Sequence, residues 1–462
     1  MFQTNPAAIP IKTKSKVQTG IKTQFGGLNT GFTIVGYQVS TPDLVTAEEE
    51  YPTVKQTIMA IAIRVILFIL LFLSHKDKHF YSLQKCKRYK PKKSIFAKIL
   101  YFMFTATDFI PKKHTSTIES GNFEWSAPSN IALVKYWGKK DNQIPANPSV
   151  SFTLNNCKTI TKLGFEKKEN SGSFSFDLLF EGKSKEDFKP KIRKFLERIE
   201  IYLPFLKDYH FTIDTQNTFP HSSGIASSAS GMAALAMNFM SLEKELYPEM
   251  TDEYFYQKAS FLARLGSGSA CRSVKGNVVV WGNQKNIKES TDLFGVEFPY
   301  TIHENFENYQ DTILLVDKGE KQVSSTVGHD LMHNHPYAER RFAQAHENLG
   351  KLILIFETGN IEEFIKVVES EALTLHAMMM TSMPYFILMK PNTLQIINAI
   401  WKFRNETNIP VCFTLDAGAN VHVLYPNNVA DKVLQFIKNE LVGFCQNGQY
   451  ICDEIGNGAI KL

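Results

Sequence analysis

The stretch FPHSSGIASSASG, residues Phe219 to Gly231, constrains this 462-residue chain more than any other. A tight turn of small residues (Pro220, His221, Ser222, Ser223, Gly224) runs through Ile225 and Ala226 into a Ser/Ala segment. That segment continues as Met232-Ala-Ala-Leu-Ala-Met-Asn-Phe-Met with no breaker, which predicts a helix over 227–246. The first turn of a helix leaves backbone N–H groups without partners and carries a partial positive charge. Small side chains let an anion approach those donors, and Ser227, Ser228 and Ser230 add hydroxyls. Such a turn suits a polyphosphate, yet no GxxxxGK[ST] loop occurs in the chain. A small-residue helix packed tightly on a sheet is the competing reading, and the segment alone leaves both open.

From about residue 121 the pattern becomes regular. Strands are expected over 130–136, 149–154, 172–180, 209–213, 278–281 and 311–316. Helices are expected over 189–202, 227–246 and 252–264. A mostly helical half follows over 337–357, 361–376, 393–405 and 428–440, with an apolar strand at 411–415. Strands mixed with helices, without regular βαβα alternation, imply an α+β fold in two domains. The expected division is an extension over 1–119, a domain over 120–305 and a domain over 306–462.

The chain holds 51 Lys/Arg against 46 Asp/Glu, but the charge is uneven. Residues 1–105 carry 15 basic and 5 acidic side chains, so the remainder is mildly acidic and gives no case for nucleic-acid binding. The six cysteines (Cys86, Cys157, Cys271, Cys412, Cys445, Cys452) form no CxxC pair, and a reducing cytoplasm is the simple reading. Residues 58–73 form an apolar run interrupted by Arg64, followed by a densely basic stretch over 76–98. The run is short for a transmembrane helix, and the order is wrong for a secretory signal. A membrane anchor, a disordered extension and translated upstream sequence with a start near Met103 are the three readings. Composition favours the last, so no membrane association is expected.

Three further constellations carry chemistry. Ser126 to Asp141 reads SAPSNIALVKYWGKKD, a strand bearing Lys135, with Tyr136, Trp137, Gly138 and Lys139 at its end. Two ammonium groups beside a glycine can hold a diphosphate; a core strand with solvated lysines is the alternative. Asn147, Ser149 and Ser151 continue the polar theme downstream. Gly266 to Arg272 reads GSGSACR, a hydroxyl-rich turn closed by a guanidinium. If buried, that guanidinium needs an anion, either an internal carboxylate or a ligand. Cys271 reads as a packed small residue. Phe413 to Asn420 reads FTLDAGAN, and Asp416 at the end of an apolar strand is the best carboxylate to orient or deprotonate a hydroxyl. A cap or turn role for Asp416 competes with that.

Taken together and in order, APSNIALVKYWGK, FPHSSGIASSASG, ARLGSGSACRS, VSSTVG and FTLDAGAN resemble the diphosphomevalonate decarboxylase family of the GHMP kinase superfamily. The resemblance spans about 126–425. It implies a ribosomal-protein-like amino-terminal domain, a ferredoxin-like carboxyl-terminal domain, a cleft between them and a homodimer. It also implies ATP-dependent decarboxylation of (R)-5-diphosphomevalonate, with ATP as co-substrate and Mg²⁺ carried on its phosphates. By that resemblance Asp416, Arg272, Lys135 and Ser227 carry the reaction. Tyr136, Trp137, Gly138, Lys139, Ser267, Gly268, Ser269, Ala270, Cys271 and Thr326 line the substrate with Arg272. Ser222, Ser223, Gly224, Ala226, Ser227 and Ser228 take the ATP phosphates. A related small-molecule kinase, or a decarboxylase of the monophosphate, is the nearest alternative.

Two departures accompany the resemblance. After Gly328 the chain reads HDLMHNH, and His329, His333 and His335 are spaced poorly for one helix face, so a helix start is expected rather than a metal site. The arginine that members often carry for the diphosphate has no clear counterpart. Lys189, Lys191 and Arg193 are the possible substitutes.

Overall fold

The computed structural model describes residues 105–111, 116–220, 225–317 and 325–462, the side chains of 325 and 326 apart. The apolar run over 58–73 and the turn residues His221, Ser222, Ser223 and Gly224 lie outside the described residues. Among the described residues no helix is long and apolar enough to cross a membrane.

Two sheets organise the chain. The first is built on the antiparallel pair β1 (Ser120–Val134) and β2 (Ser149–Lys167). β3 (Ser175–Phe180), β4 (Lys183–Ser184) and β5 (Tyr209–Asn217) extend it on one side in the order β1-β2-β5-β3-β4. β6 (Val278–Trp281) and β7 (Val296–Glu297) branch from β2. The second sheet comprises β8 (Gln310–Leu314), β9 (Cys412–Thr414), β10 (Val421–Tyr425) and β11 (Tyr450–Glu454), in the order β11-β8-β10-β9. β12 (Ile460–Lys461) brings the chain end back onto β1.

Three helices serve the first sheet: α1 (Lys189–Ile199), α2 (Ser227–Leu246) and α3 (Asp252–Gly266). α2 is alanine-rich where it meets the sheet. Ala229, Ala233 and Ala236 pack into one core with Trp125, Leu163, Phe165 and Phe211. Small side chains let the helix axis sit close to the strands, so the tight-packing reading of this segment holds for its body. The other helices among the described residues are α4 (Ser325–Asp330), α5 (Ala338–Thr358), α6 (Ile361–Thr381), α7 (Pro391–Thr407) and α8 (Ala430–Phe436). Ile396, Ile400 and Phe436 pack against Phe413, Val421 and Val423 of the second sheet. A further core joins Ile131, Val150 and Phe152 of the first sheet to Ile313 of the second and to Leu352 and Phe364.

Two expectations change. β1 starts ten residues before the expected strand, because Pro128 does not end it: the register shifts between Pro128 and Asn130, a bulge that accommodates a residue without an N–H. β2 continues past residue 154, where the expected strand ends; Asp453 of β11 accepts the backbone N–H groups of Asn155, Asn156 and Cys157 at 2.7–2.8 Å. Phe109, in a 3-10 turn at Ala106–Phe109, is fully buried and stacks on Phe261 with ring centroids 4.4 Å apart.

Candidate active site

β1 delivers Lys135 just past its last residue, and the peptide around it is held on both sides. Its N–H donates to Glu371 Oε2 at 2.9 Å, and its carbonyl accepts from Asn147 at 2.9 Å and Arg341 at 3.2 Å. The buried ammonium reaches Asp416 Oδ1 at 3.1 Å. Desolvation pulls the Lys135 pKa below its ordinary value, and Asp416 opposes that shift. Asp416 follows β9 in a turn in which Gly418 N–H donates back to its carbonyl at 2.7 Å.

Arg272 comes from a 3-10 turn, Gly268–Ser273, and is 2% exposed. Its Nε donates to Ser151 at 2.9 Å, and its terminal nitrogens donate to Ser149 and Asn130. The guanidinium also lies 5.7 Å from the Trp281 ring. All three hydrogen-bond partners are neutral, and no carboxylate among the described residues makes an ion pair with it. Asp416 and Lys135 both act on Arg272 or feel it through space, so the three charges form one cluster. The sequence left internal carboxylate and ligand open as partners; among the described residues no carboxylate contacts the guanidinium. A buried cation so placed is suited to an anionic ligand group.

Tyr136 packs its ring against Trp281 and His329, with centroids 4.6 and 4.2 Å away. Its hydroxyl is buried without a hydrogen-bond partner among the described residues. Gly268 is required here, since a Cβ would stand 2.8 Å from that hydroxyl oxygen and 3.0 Å from Trp281. Ser267 and Ser269 flank it half-buried, while Ala270 and Cys271 are buried. The Cys271 thiol donates to the Gly268 carbonyl at 3.1 Å, and burial pushes its pKa up to about 12, so it stays a packed thiol.

The KYWGK turn is docked by α4. Gly138, at φ +99°, donates its N–H to His329 Nδ1 at 3.0 Å. Trp137 covers Gly328, and Lys139 pairs with Asp330 at 3.4 Å. Thr326 lies in α4, with its side chain outside the described residues. His329, His333 and His335 do not converge: His335 instead bonds the Met378 carbonyl at 3.1 Å. The docking role of His329 was missed in the sequence, although the departure after Gly328 marks the place.

His329 accepts through Nδ1, so its ring is neutral there, and burial with Lys139 and Arg272 nearby lowers its pKa to about 3. An unfolded histidine titrates near 6.5. The neutral ring's contribution is therefore complete above pH 6.5 and lost as pH falls toward 3, by at most about 1.4 kcal/mol per pH unit. Buried Glu243 and Asp311 titrate with the opposite sign, so the test compares variant with wild type. His329→Asn is expected to flatten the fall in unfolding midpoint between pH 7 and pH 5. Equal slopes would remove the ring from this account.

The start of α2 completes the site. Its N-cap Ala226 has φ +45° and supplies no side-chain cap. Ser228 Oγ lies 3.3 Å from Ser267 Oγ, and Ser129 Oγ donates to the Ile225 carbonyl at 2.6 Å. The start of α2 is thus tied both to the Arg272 turn and to β1. Ser230 is a correction: its hydroxyl is engaged with Thr159 at 2.6 Å, on the sheet side. A cavity of about 220 Å³ opens beside Ser227 and Ser228, with Lys191 and apolar walls including Ile192, Ile213 and Leu235. Of the three cations considered for the diphosphate, only Lys191 lines it. Lys189 pairs with Glu186 at 2.9 Å, and Arg193 lies over the Phe176 ring.

This mixed two-sheet body has the fold of the GHMP kinase superfamily. The models for the diphosphomevalonate decarboxylase-like N-terminal domain and the mevalonate 5-diphosphate decarboxylase C-terminal domain match residues 127–292 and 312–458. The diphosphomevalonate decarboxylase of Candida albicans is 31% identical over 333 residues, covering 68% of this chain and 86% of that protein. A mevalonate diphosphate decarboxylase from Legionella pneumophila superposes with TM-score 0.61 at 29% identity, covering 72% of this chain and 100% of the other. A relative solved in complex with MVAPP, AMPPCP and magnesium superposes with TM-score 0.63 at 27% identity, covering 74% and 98%. The chain belongs to the diphosphomevalonate decarboxylase family.

Proposed function

We propose that the chain converts (R)-5-diphosphomevalonate and ATP to isopentenyl diphosphate, ADP, phosphate and CO₂. The observation that carries this is Arg272: a buried guanidinium held by neutral groups, beside the Lys135–Asp416 pair. A tertiary hydroxyl is a poor leaving group and must first become a phosphate ester. Asp416 orients the 3-hydroxyl and accepts its proton as the oxygen attacks the γ-phosphorus, while Lys135 adds positive charge beside the transferring group. Arg272 holds the substrate carboxylate. When the phosphate leaves with the C–O electron pair, the C–C bond to the carboxylate breaks and its electrons form the new double bond.

The open N-terminus of α2, with Ser227 and Ser228, fits the ATP phosphates, and Mg²⁺ carried on them would neutralise their charge. The adjoining cavity is suited to the nucleotide base. Tyr136, Trp137, Gly138, Lys139, Ser267 to Cys271 and Thr326 line the substrate, and the Tyr136 hydroxyl, without a hydrogen-bond partner among the described residues, supplies a donor there. A domain boundary near 305, a homodimer and a cytoplasmic location belong to the same reading. The monophosphate remains the rival substrate, because Lys139 is already paired with Asp330. Incubation with ATP, Mg²⁺ and the diphosphate is expected to release ADP and CO₂ in equal amounts, faster than with the monophosphate. ADP without CO₂ would make the protein a kinase.

A further inference from the structure

We propose that Glu371 and His376, five residues apart on α6, are positioning residues that together set the geometry of the Lys135–Asp416 pair. The inference rests on the reading that this pair carries the reaction. Lys135 and Asp416 follow strands of different sheets, so their approach depends on how each backbone is held. α6 holds both. Glu371 Oε2 accepts the Lys135 N–H at 2.9 Å, and His376 Nε2 lies 3.2 Å from the Asp416 carbonyl. A carbonyl has no proton to give, so the imidazole carries its proton on Nε2 and donates. Five residues of helix span about 7.5 Å, a fixed length between the two anchor points.

The surroundings of Glu371 point the same way. Oε1 accepts from Arg341 at 3.0 Å and Asn348 at 2.7 Å, and Oε2 accepts from Arg341 at 2.5 Å. The same Arg341 donates to the Lys135 carbonyl at 3.2 Å. The buried pair is therefore assembled around one peptide, with a contact on each side of Lys135. A buried ion pair adds little net stability over apolar side chains of the same volume. Its use here is to fix where Lys135 stands. Misplacing a reacting group by about 1 Å can cost on the order of 100-fold in rate.

The test measures kcat, both KM values and thermal unfolding for wild type, His376→Leu, His376→Gln and Asp416→Asn. His376→Leu is expected to lower kcat on the order of 10- to 100-fold, with the KM for ATP within about twofold of wild type. His376→Gln, whose amide can donate to the same carbonyl, is expected to recover to within about fivefold. A wild-type kcat in His376→Leu overturns the proposal, as do equal losses in both variants that follow loss of stability. If wild type releases no CO₂ with ADP, the functional reading fails and the inference with it. If wild type is active and Asp416→Asn is not, while His376→Leu is unimpaired, the inference alone fails. Glu371→Gln is expected to lower kcat as well, and should it not fold, the His376 pair still decides.

Discussion

Asp416→Ala is expected to reduce kcat by at least about 100-fold, roughly 2.7 kcal/mol of barrier, while the chain stays folded. The side chain lies at the end of β9, with 29% of it exposed, so its removal opens no deep core cavity. What is lost is the carboxylate beside Lys135 and the acceptor for the hydroxyl proton. Lys135 is then left buried without the carboxylate it pairs with, and desolvation already depresses its pKa. The ammonium becomes easier to deprotonate, and the site loses both an acceptor and a positive charge. Asp416→Asn keeps the shape and separates these effects, since the amide can orient a hydroxyl but cannot take its proton. Steady-state rates at saturating ATP and diphosphomevalonate check this, with circular dichroism for the fold. Near-normal turnover in Asp416→Ala would remove the residue from its role.

Arg272→Ala carries the second large effect. A loss of at least about 100-fold in kcat/KM for the phosphorylated substrate is expected, with the KM for ATP changed far less. The guanidinium's three hydrogen bonds go to Ser149, Ser151 and Asn130, neutral groups that tolerate its removal better than a stranded carboxylate would. Folding should therefore survive. Arg272→Lys keeps a charge but not the planar fork, and is expected to recover only part of the loss. Retained discrimination for a carboxylate-bearing substrate in Arg272→Ala would place the carboxylate elsewhere.

Much of the site was legible because its chemistry sits in contiguous segments. SAPSNIALVKYWGKKD, GSGSACR and FTLDAGAN each carry their charged side chain beside a glycine or a strand end. α2 was legible to its ends, since an unbroken apolar run follows the serines. The groups that hold these segments were not. Glu371, Arg341, Asn348 and His376 lie on helices where charged residues ordinarily face water, and only tertiary packing turns them onto Lys135 and Asp416. His329 is visible as an anomaly after Gly328, but its acceptance of the Gly138 N–H depends on a fold that brings α4 to β1. The long halves of β1 and β2 were hidden by local signals, Pro128 and Asn155-Asn156, that the sheet absorbs through a bulge and through Asp453. β10 and β11 are short strands next to turn residues, and they gain their place by pairing with β8 and, for β10, with β9.

The central claim is that one small molecule meets Asp416, Arg272 and the start of α2 at once. A crystal structure of the full chain with (R)-5-diphosphomevalonate and a non-hydrolysable ATP analogue tests it most directly. The account predicts the 3-hydroxyl within about 3 Å of Asp416, the carboxylate on the Arg272 guanidinium and the nucleotide phosphates on the amides following Ala226. A substrate bound with its carboxylate away from Arg272, or phosphates seated anywhere other than the first turn of α2, would contradict it.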